Sequence, residues 1–281
     1  MLESLLNAEK AKKKPWEMFF LGILYYSMAC LLSLWVFKEY ASVVTILFTI
    51  VAALPLIYST IRNEEAESRL EGSYLSVLLG HLKYFYLTMY FFSGLIVASV
   101  FWYVFSPPDL IRPLFEVQLN TLMGMGVTGA ASASTARFMM IFFNNLKVLL
   151  FCVIFSFIYG SGALFILIWN GTVIGAGIGH FIRTKVAALS SYSGFEYLAH
   201  YFGIFSVGLL KYTIHGIPEI LGYFVGGLAG GIISFGVVKE KFKSNKFSEV
   251  VLDASNLTIL AVVIILIAAV LEVYITPLVF H

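Results

Sequence analysis

Long apolar runs alternate with short polar breaks along almost the whole chain. That spacing predicts transmembrane α-helices. About 20 residues at roughly 1.5 Å each cross a hydrocarbon core of about 30 Å, where lipid offers no partner to free backbone groups. The first run is Trp16 to Phe37, and a charged turn at Lys38 and Glu39 leads into the second, Ala41 to Ile61. A polar connection follows, RNEEAESRLEGS from Arg62 to Ser73, whose alternating charges suit a solvated helix at the surface. The third span is Tyr84 to Phe105, stopped by Ser106, Pro107 and Pro108. Between Asp109 and Arg137 an amphipathic piece, LIRPLFEVQLNTLM, predicts an interfacial helix, and GMGVTGAASAST a loop. Phe138 to Tyr159 and Ala163 to Ile182 are two further spans, Glu219 to Val238 is the next, and Leu257 to Pro277 is the last. Phe195 to Ile214 is aromatic-rich and interrupted by His200; it fits a span, a re-entrant segment or an interfacial helix.

The expected fold is therefore all-α, a polytopic transmembrane bundle of about seven spans with interfacial or re-entrant segments. It divides into an amino-terminal three-span region with its interfacial helix and loop (1–137) and a four-span core (138–281). Composition agrees, because 60% of the 281 residues are hydrophobic and 12% charged, about half the usual charged fraction of soluble domains. The net charge of +2 is small, and the basic residues form juxtamembrane runs, which argues against nucleic acid as a partner. Lys10, Lys12, Lys13 and Lys14 precede an apolar run that lacks a small-residue cleavage signal, the pattern of a signal anchor.

Basic residues also orient the spans, since cytoplasmic loops hold the excess of lysine and arginine. With seven spans and the amino terminus inside, eleven basic residues fall on the inner side and six on the outer; letting Phe195 to Ile214 cross reverses this to eight and nine. The expected arrangement is a multi-pass cell-membrane protein with a cytoplasmic amino terminus and an external carboxy terminus.

Polar side chains at membrane depth are costly, so each needs a reason. The candidates are Asn144, Asn145 and Lys147 in the fourth span, Asn170 in the fifth, His215 and Glu219 in HGIPE, and Glu272 near the end of the last. For Lys147 and Glu272 the plain alternative is snorkelling toward an interface, and for the asparagines it is hydrogen bonding between helices. Gly216 and Pro218 predict a helix break at HGIPE, with a half-helix starting at Pro218 whose amide donors could bind an ion. Glycines at four-residue spacing, Gly171, Gly175 and Gly179 in one helix and Gly222, Gly226 and Gly230 in another, predict close helix packing within the chain or across a dimer.

Enzyme signatures are weak. Glu64, Glu65 and Arg69 form an EExxxR string resembling the first motif of membrane-embedded CAAX-type proteases, but it lies in a charged loop, and FEYLAH has one residue too many for the accompanying FxxxH. His215 and Glu219 lack a third metal ligand at useful spacing, and Cys30 and Cys152 sit in apolar runs as small hydrophobes. No catalytic residue, metal or cofactor is expected.

In order, FFNNLKVLLFCVIFSFIYGSG, LFILIWNGTVIGAGIG, HGIPE, GGLAGG and IAAVLEVYITP resemble the stage II sporulation protein M family of integral membrane proteins, across Phe138 to Pro277. The family's paired asparagines match Asn144 and Asn145, its NG step Asn170 and Gly171, its histidine-glycine and glutamate His215, Gly216 and Glu219, and its terminal glutamate Glu272. Ile214 stands where family members usually have proline. The resemblance extends to archaeal members, with which the chain's aromatic-rich style is compatible. It implies a non-enzymatic scaffold that organises partner proteins or shapes the bilayer, as the bacterial namesake acts with peptidoglycan hydrolases. The partners implied are the lipid bilayer, a second copy and other membrane-associated proteins. The alternative from the residues alone is a transporter or channel, with Asn145, Asn170, His215 and Glu219 lining a polar site.

Overall fold

The computed structural model describes residues 14–71, 74–126, 134–159, 163–189, 192–239 and 245–280. The expected lysine run before Lys14, the Gly72–Ser73 end of the charged connection, most of the small-residue loop and most of KEKFKSNK lie outside the described residues. Among the described residues the structure is helical throughout, and seven helices are long and apolar enough to cross a membrane. The chain is a multi-pass, all-α protein. It falls into two compact units, Met1–Val117 and Gln118–His281.

In the first unit, α1 (Trp16–Val36) and α2 (Ala41–Glu71) are joined by a 3-10 turn, Lys38–Tyr40, and α3 (Tyr74–Phe105) packs on both. The charged connection after Ile61 is the continuation of α2, which remains helical to Glu71. Helices α1 and α3 cross backbone against backbone, because each supplies a glycine at the contact. A methyl group on Gly22 would strike the Phe91 carbonyl oxygen, and one on Gly94 the Phe19 carbonyl oxygen. Helices α1 and α2 are tied by the hydroxyls of Ser33 and Thr45, 2.6 Å apart and both buried. Trp102 on α3 donates its indole N–H to Ser27 on α1 at 3.2 Å.

The amphipathic piece forms α4 (Pro108–Gly126). Leu114, Phe115 and Gln118 are buried on one side, while Arg112 and Glu116 pair across one helical turn at 3.7 Å.

In the second unit, α5 (Ser134–Tyr159), α6 (Ala163–Ala187) and α8 (Asn245–Val270) all pack on α7 (Gly194–Lys239), their common partner. The contacts fix the directions. Leu149 and Val153 of α5 meet Gly226 and Gly230, so α5 and α7 run parallel. Ala163, Ile174 and Phe181 of α6 meet Gly227, Gly216 and Gly208, so α6 is antiparallel to α7. Ile265 and Val250 of α8 meet Gly222 and Gly236, again antiparallel.

The structure corrects the helix break expected at HGIPE. Helix α7 is continuous for 46 residues through Gly216 and Pro218. Proline withholds one hydrogen bond, from the carbonyl four residues earlier, and crowds that carbonyl. In a membrane bundle the flanking helices hold such a turn together. Here Ile174 of α6 packs on Gly216, where it would lie 3.4 Å from an added Cβ. The segment Phe195 to Ile214 is accordingly the first half of α7, neither a separate span nor a re-entrant loop.

Helix α8 ends in a π turn, Leu271–Ile275, followed by a short helix α9 (Thr276–Val279). Pro277 explains the widening. It has no N–H to donate, and in a regular helix its ring would press on the carbonyl four residues back. The backbone N–H of Thr276 donates to the Leu271 carbonyl five residues earlier, and its hydroxyl donates to the same carbonyl at 2.9 Å.

Candidate functional site

The polar side chains of the second unit gather where α5, α7 and the π turn meet. Asn145 is 4% exposed, and its amide donates to the Glu219 carboxylate. The pair joins α5 to α7 at membrane depth. Asn144 turns its amide toward the Asn145 oxygen at 3.5 Å, the long limit of a hydrogen bond.

Glu272 enters from the π turn and lies within electrostatic reach of Glu219, with Arg137 of α5 close enough to act on both Glu272 and His215. The π turn matters here. One extra residue in a turn rotates the side chains beyond it by roughly 100° relative to a regular helix, and such turns recur at functional sites. His215 stacks obliquely with Tyr212, ring centroids 6.0 Å apart, and its buried Nδ1 has no well-formed hydrogen bond. Tyr223, 1% exposed, lies beside Glu219.

The structure brings together Asn145, Glu219, Glu272 and His215, with Asn144 at the margin. Asn170 stands apart. Its amide donates to the Ile166 carbonyl of its own helix at 2.8 Å, four residues earlier. Among the described residues, no three His, Cys, Asp or Glu side chains converge in a way that could hold a metal ion.

Tyr212, Tyr223 and Arg137 are members that sequence reasoning missed. The signal was present in α7, where Tyr212, His215, Glu219 and Tyr223 recur at three- and four-residue steps along one helix face. Arg137 was counted only as a loop cation.

Gly222, Gly226 and Gly230 of α7 follow Glu219 along the helix. A methyl on Gly222 would come within 2.7 Å of Ile265, one on Gly226 would strike Leu149, and one on Gly230 would strike the Val153 carbonyl oxygen. These positions are taken up by α5 and α8 of the same chain. In α6, Gly171, Gly175 and Gly179 are buried.

The family model of stage II sporulation protein M matches residues 68–277. The chain belongs to the stage II sporulation protein M family. The family match reaches well upstream of the motifs from Phe138 onward, so α3 and α4 also belong to it, while α1 and α2 as far as Glu67 precede it. Every member of the polar cluster lies inside the matched region. No curated protein and no solved structure matches the chain.

A second feature is the length of α7. Its 46 residues extend about 69 Å, more than twice a hydrocarbon core of roughly 30 Å. Between Lys211 and Lys239 the helix carries a single charged residue, Glu219, so a hydrocarbon-spanning segment fits between those lysines. The arm, Gly194 to Lys211, adds about 26 Å of helix ahead of that segment.

The end of α6 braces the base of the arm. A methyl on Gly208 would lie 2.9 Å from Phe181, and the ammonium groups of Lys211 and Lys185 stand 5.3 and 6.0 Å from the centre of the Phe181 ring. An open groove lined by Phe181, Lys185, His200 and Val207 runs between them. Farther along, Phe195 is 86% exposed and Phe202 65%, and Leu198 and Leu210 are exposed with them.

Proposed function

We propose that this protein is a non-enzymatic membrane scaffold whose projecting α7 arm and amphipathic α4 recruit partner proteins to the bilayer. The observation that carries this is the arm. A helix end that stands clear of the hydrocarbon while displaying Phe195, Leu198 and Phe202 is suited to burying those rings against something else. The polar cluster supports the same reading. Asn145 and Glu219 spend their polarity on each other and so fix α5 against α7, which is how a scaffold holds the base of a lever in place. With a cytoplasmic amino terminus, as the basic loops favour, seven alternating spans put the start of α7 on the external side.

The test uses the full chain in its own membranes. A Phe195→Ser, Phe202→Ser double variant is expected to insert and fold as the parent does, by helicity and detergent-solubilised size. It should lose the larger complex that the parent forms on native gels. The transporter reading makes the opposite demand. In liposomes, ion or solute flux carried by the parent and abolished in Glu219→Ala and Asn145→Ala would overturn the scaffold assignment; equal or absent flux in all three is expected.

A further inference from the structure

Lys147 sits thirteen residues after Ser134 and twelve before Tyr159, at the centre of α5. It is therefore about 18–20 Å along the axis from either helix end. It points away from the bundle. Lys147 is exposed, and so are Phe143, Leu150, Phe151 and Ile154 around it, whereas Asn145 two positions earlier faces inward. Phe143, Lys147, Leu150 and Ile154 follow steps of four, three and four, the spacing of a helix–helix seam.

A lysine at the bilayer centre is costly on insertion scales. Its four-carbon stem closes only part of the gap to either interface. A carboxylate at the same depth offsets the cost, because an ion pair is strong where the dielectric is low.

Among the described residues, no carboxylate stands on an exposed face at that depth. Within the described spans the carboxylates away from the helix ends are Glu219, bonded to Asn145, and Glu272, grouped with Arg137 and Glu219. Asp253 of α8 lies about three turns toward one end, since Val250 is level with Gly236 while Leu149 is level with Gly226. A second copy in the same orientation brings Lys147 against Lys147, like charges at one depth.

We infer that the Phe143–Lys147–Leu150–Ile154 stripe of α5 is a docking surface for a transmembrane helix of a different protein, one that carries an aspartate or glutamate at mid-membrane depth. This deepens the scaffold reading by naming a class of partner, but it uses a surface separate from the α7 arm.

The test reconstitutes the full-length protein, dye-labelled at Ser193→Cys, in phosphatidylcholine vesicles with an acceptor-labelled leucine-rich single-span peptide bearing one central glutamate. Energy transfer is expected to report saturable association. The same peptide with glutamine or leucine at that position, or the Lys147→Leu protein, should bind at least tenfold more weakly. Lys147→Glu should reject the glutamate peptide and accept one bearing lysine, which also shows that the variant is folded. Equal binding of all three peptides, or no difference between the parent and Lys147→Leu, overturns the inference. So does self-association of the parent that Lys147→Leu abolishes, which makes the occupant a second copy. The Phe195→Ser, Phe202→Ser variant is expected to bind the glutamate peptide unchanged, so a failure at the arm and a failure at this stripe are told apart.

Discussion

The side-chain amide of Asn145 on α5 donates to the carboxylate of Glu219 on α7, joining two helices that run in the same direction within the family-matched region. A double-mutant cycle isolates that bond. Asn145→Leu and Glu219→Leu should each destabilise the protein, and the coupling between them should be about 0.6–2 kcal/mol, the range for hydrogen bonds between membrane helices. Glu219→Gln, which keeps an acceptor oxygen, should lose less than Glu219→Leu. Reversible unfolding in mixed micelles reads all four values, and a coupling indistinguishable from zero would refute the bond's structural role.

Glycine substitutions should sort by what the added methyl meets. Gly230→Ala drives it into the Val153 backbone carbonyl, and Gly94→Ala into the Phe19 carbonyl; backbone cannot step aside, so each is expected to cost about 1–3 kcal/mol. Gly203→Ala on the arm meets nothing within 4 Å and should be neutral or stabilising by up to about 1 kcal/mol through helix propensity. Thermal unfolding of the three variants side by side checks the order.

The arm's position is measurable with cysteine chemistry. Cys30 and Cys152 are both buried, so replacing them with alanine gives a thiol-free background. Phe202→Cys should then react with a membrane-impermeant maleimide in intact vesicles, while Leu150→Cys on the lipid-facing side of α5 should stay unlabelled. Protection of Phe202→Cys in vesicles of either orientation would place the arm in the hydrocarbon and sink its role as a projecting docking element.

Pro277→Ala restores the missing N–H and removes the ring, so the π turn at Leu271–Ile275 should relax to regular helix and rotate Glu272 away from its present neighbours. The expected signature is a changed distance between spin labels at Asn256 and Phe280.

Much of the fold was legible in the residues, and the reasons for the rest are local. The spans were readable because hydrocarbon thickness sets run length; the first run, Trp16 to Phe37, differs from α1 by one residue. HGIPE misled because the glycine and proline penalties describe a helix standing in water. In α7 the neighbouring helices outweigh them, with Ile174 packed on Gly216. Asn170 read like Asn145 in sequence, yet one bonds its own backbone and the other crosses to Glu219. Only the rotation of each helix about its axis decides that, and a run of uniformly apolar residues carries little rotational information. The π turn was foreshadowed by Pro277, but its effect on Glu272 depends on which carbonyl Thr276 captures.

An uninterrupted rod has a mechanical property that two half-helices lack. From Glu219 to the tip of the arm at Gly194, α7 measures about 37 Å. Membrane helices commonly tilt by tens of degrees, and a tilt of about 10° pivoting at the Asn145–Glu219 contact displaces the tip by roughly 6 Å. On the scaffold reading, a partner bound to the arm is coupled in this way to bilayer thickness and to anything that leans on α5, and lateral events inside the membrane become displacements at the arm's tip.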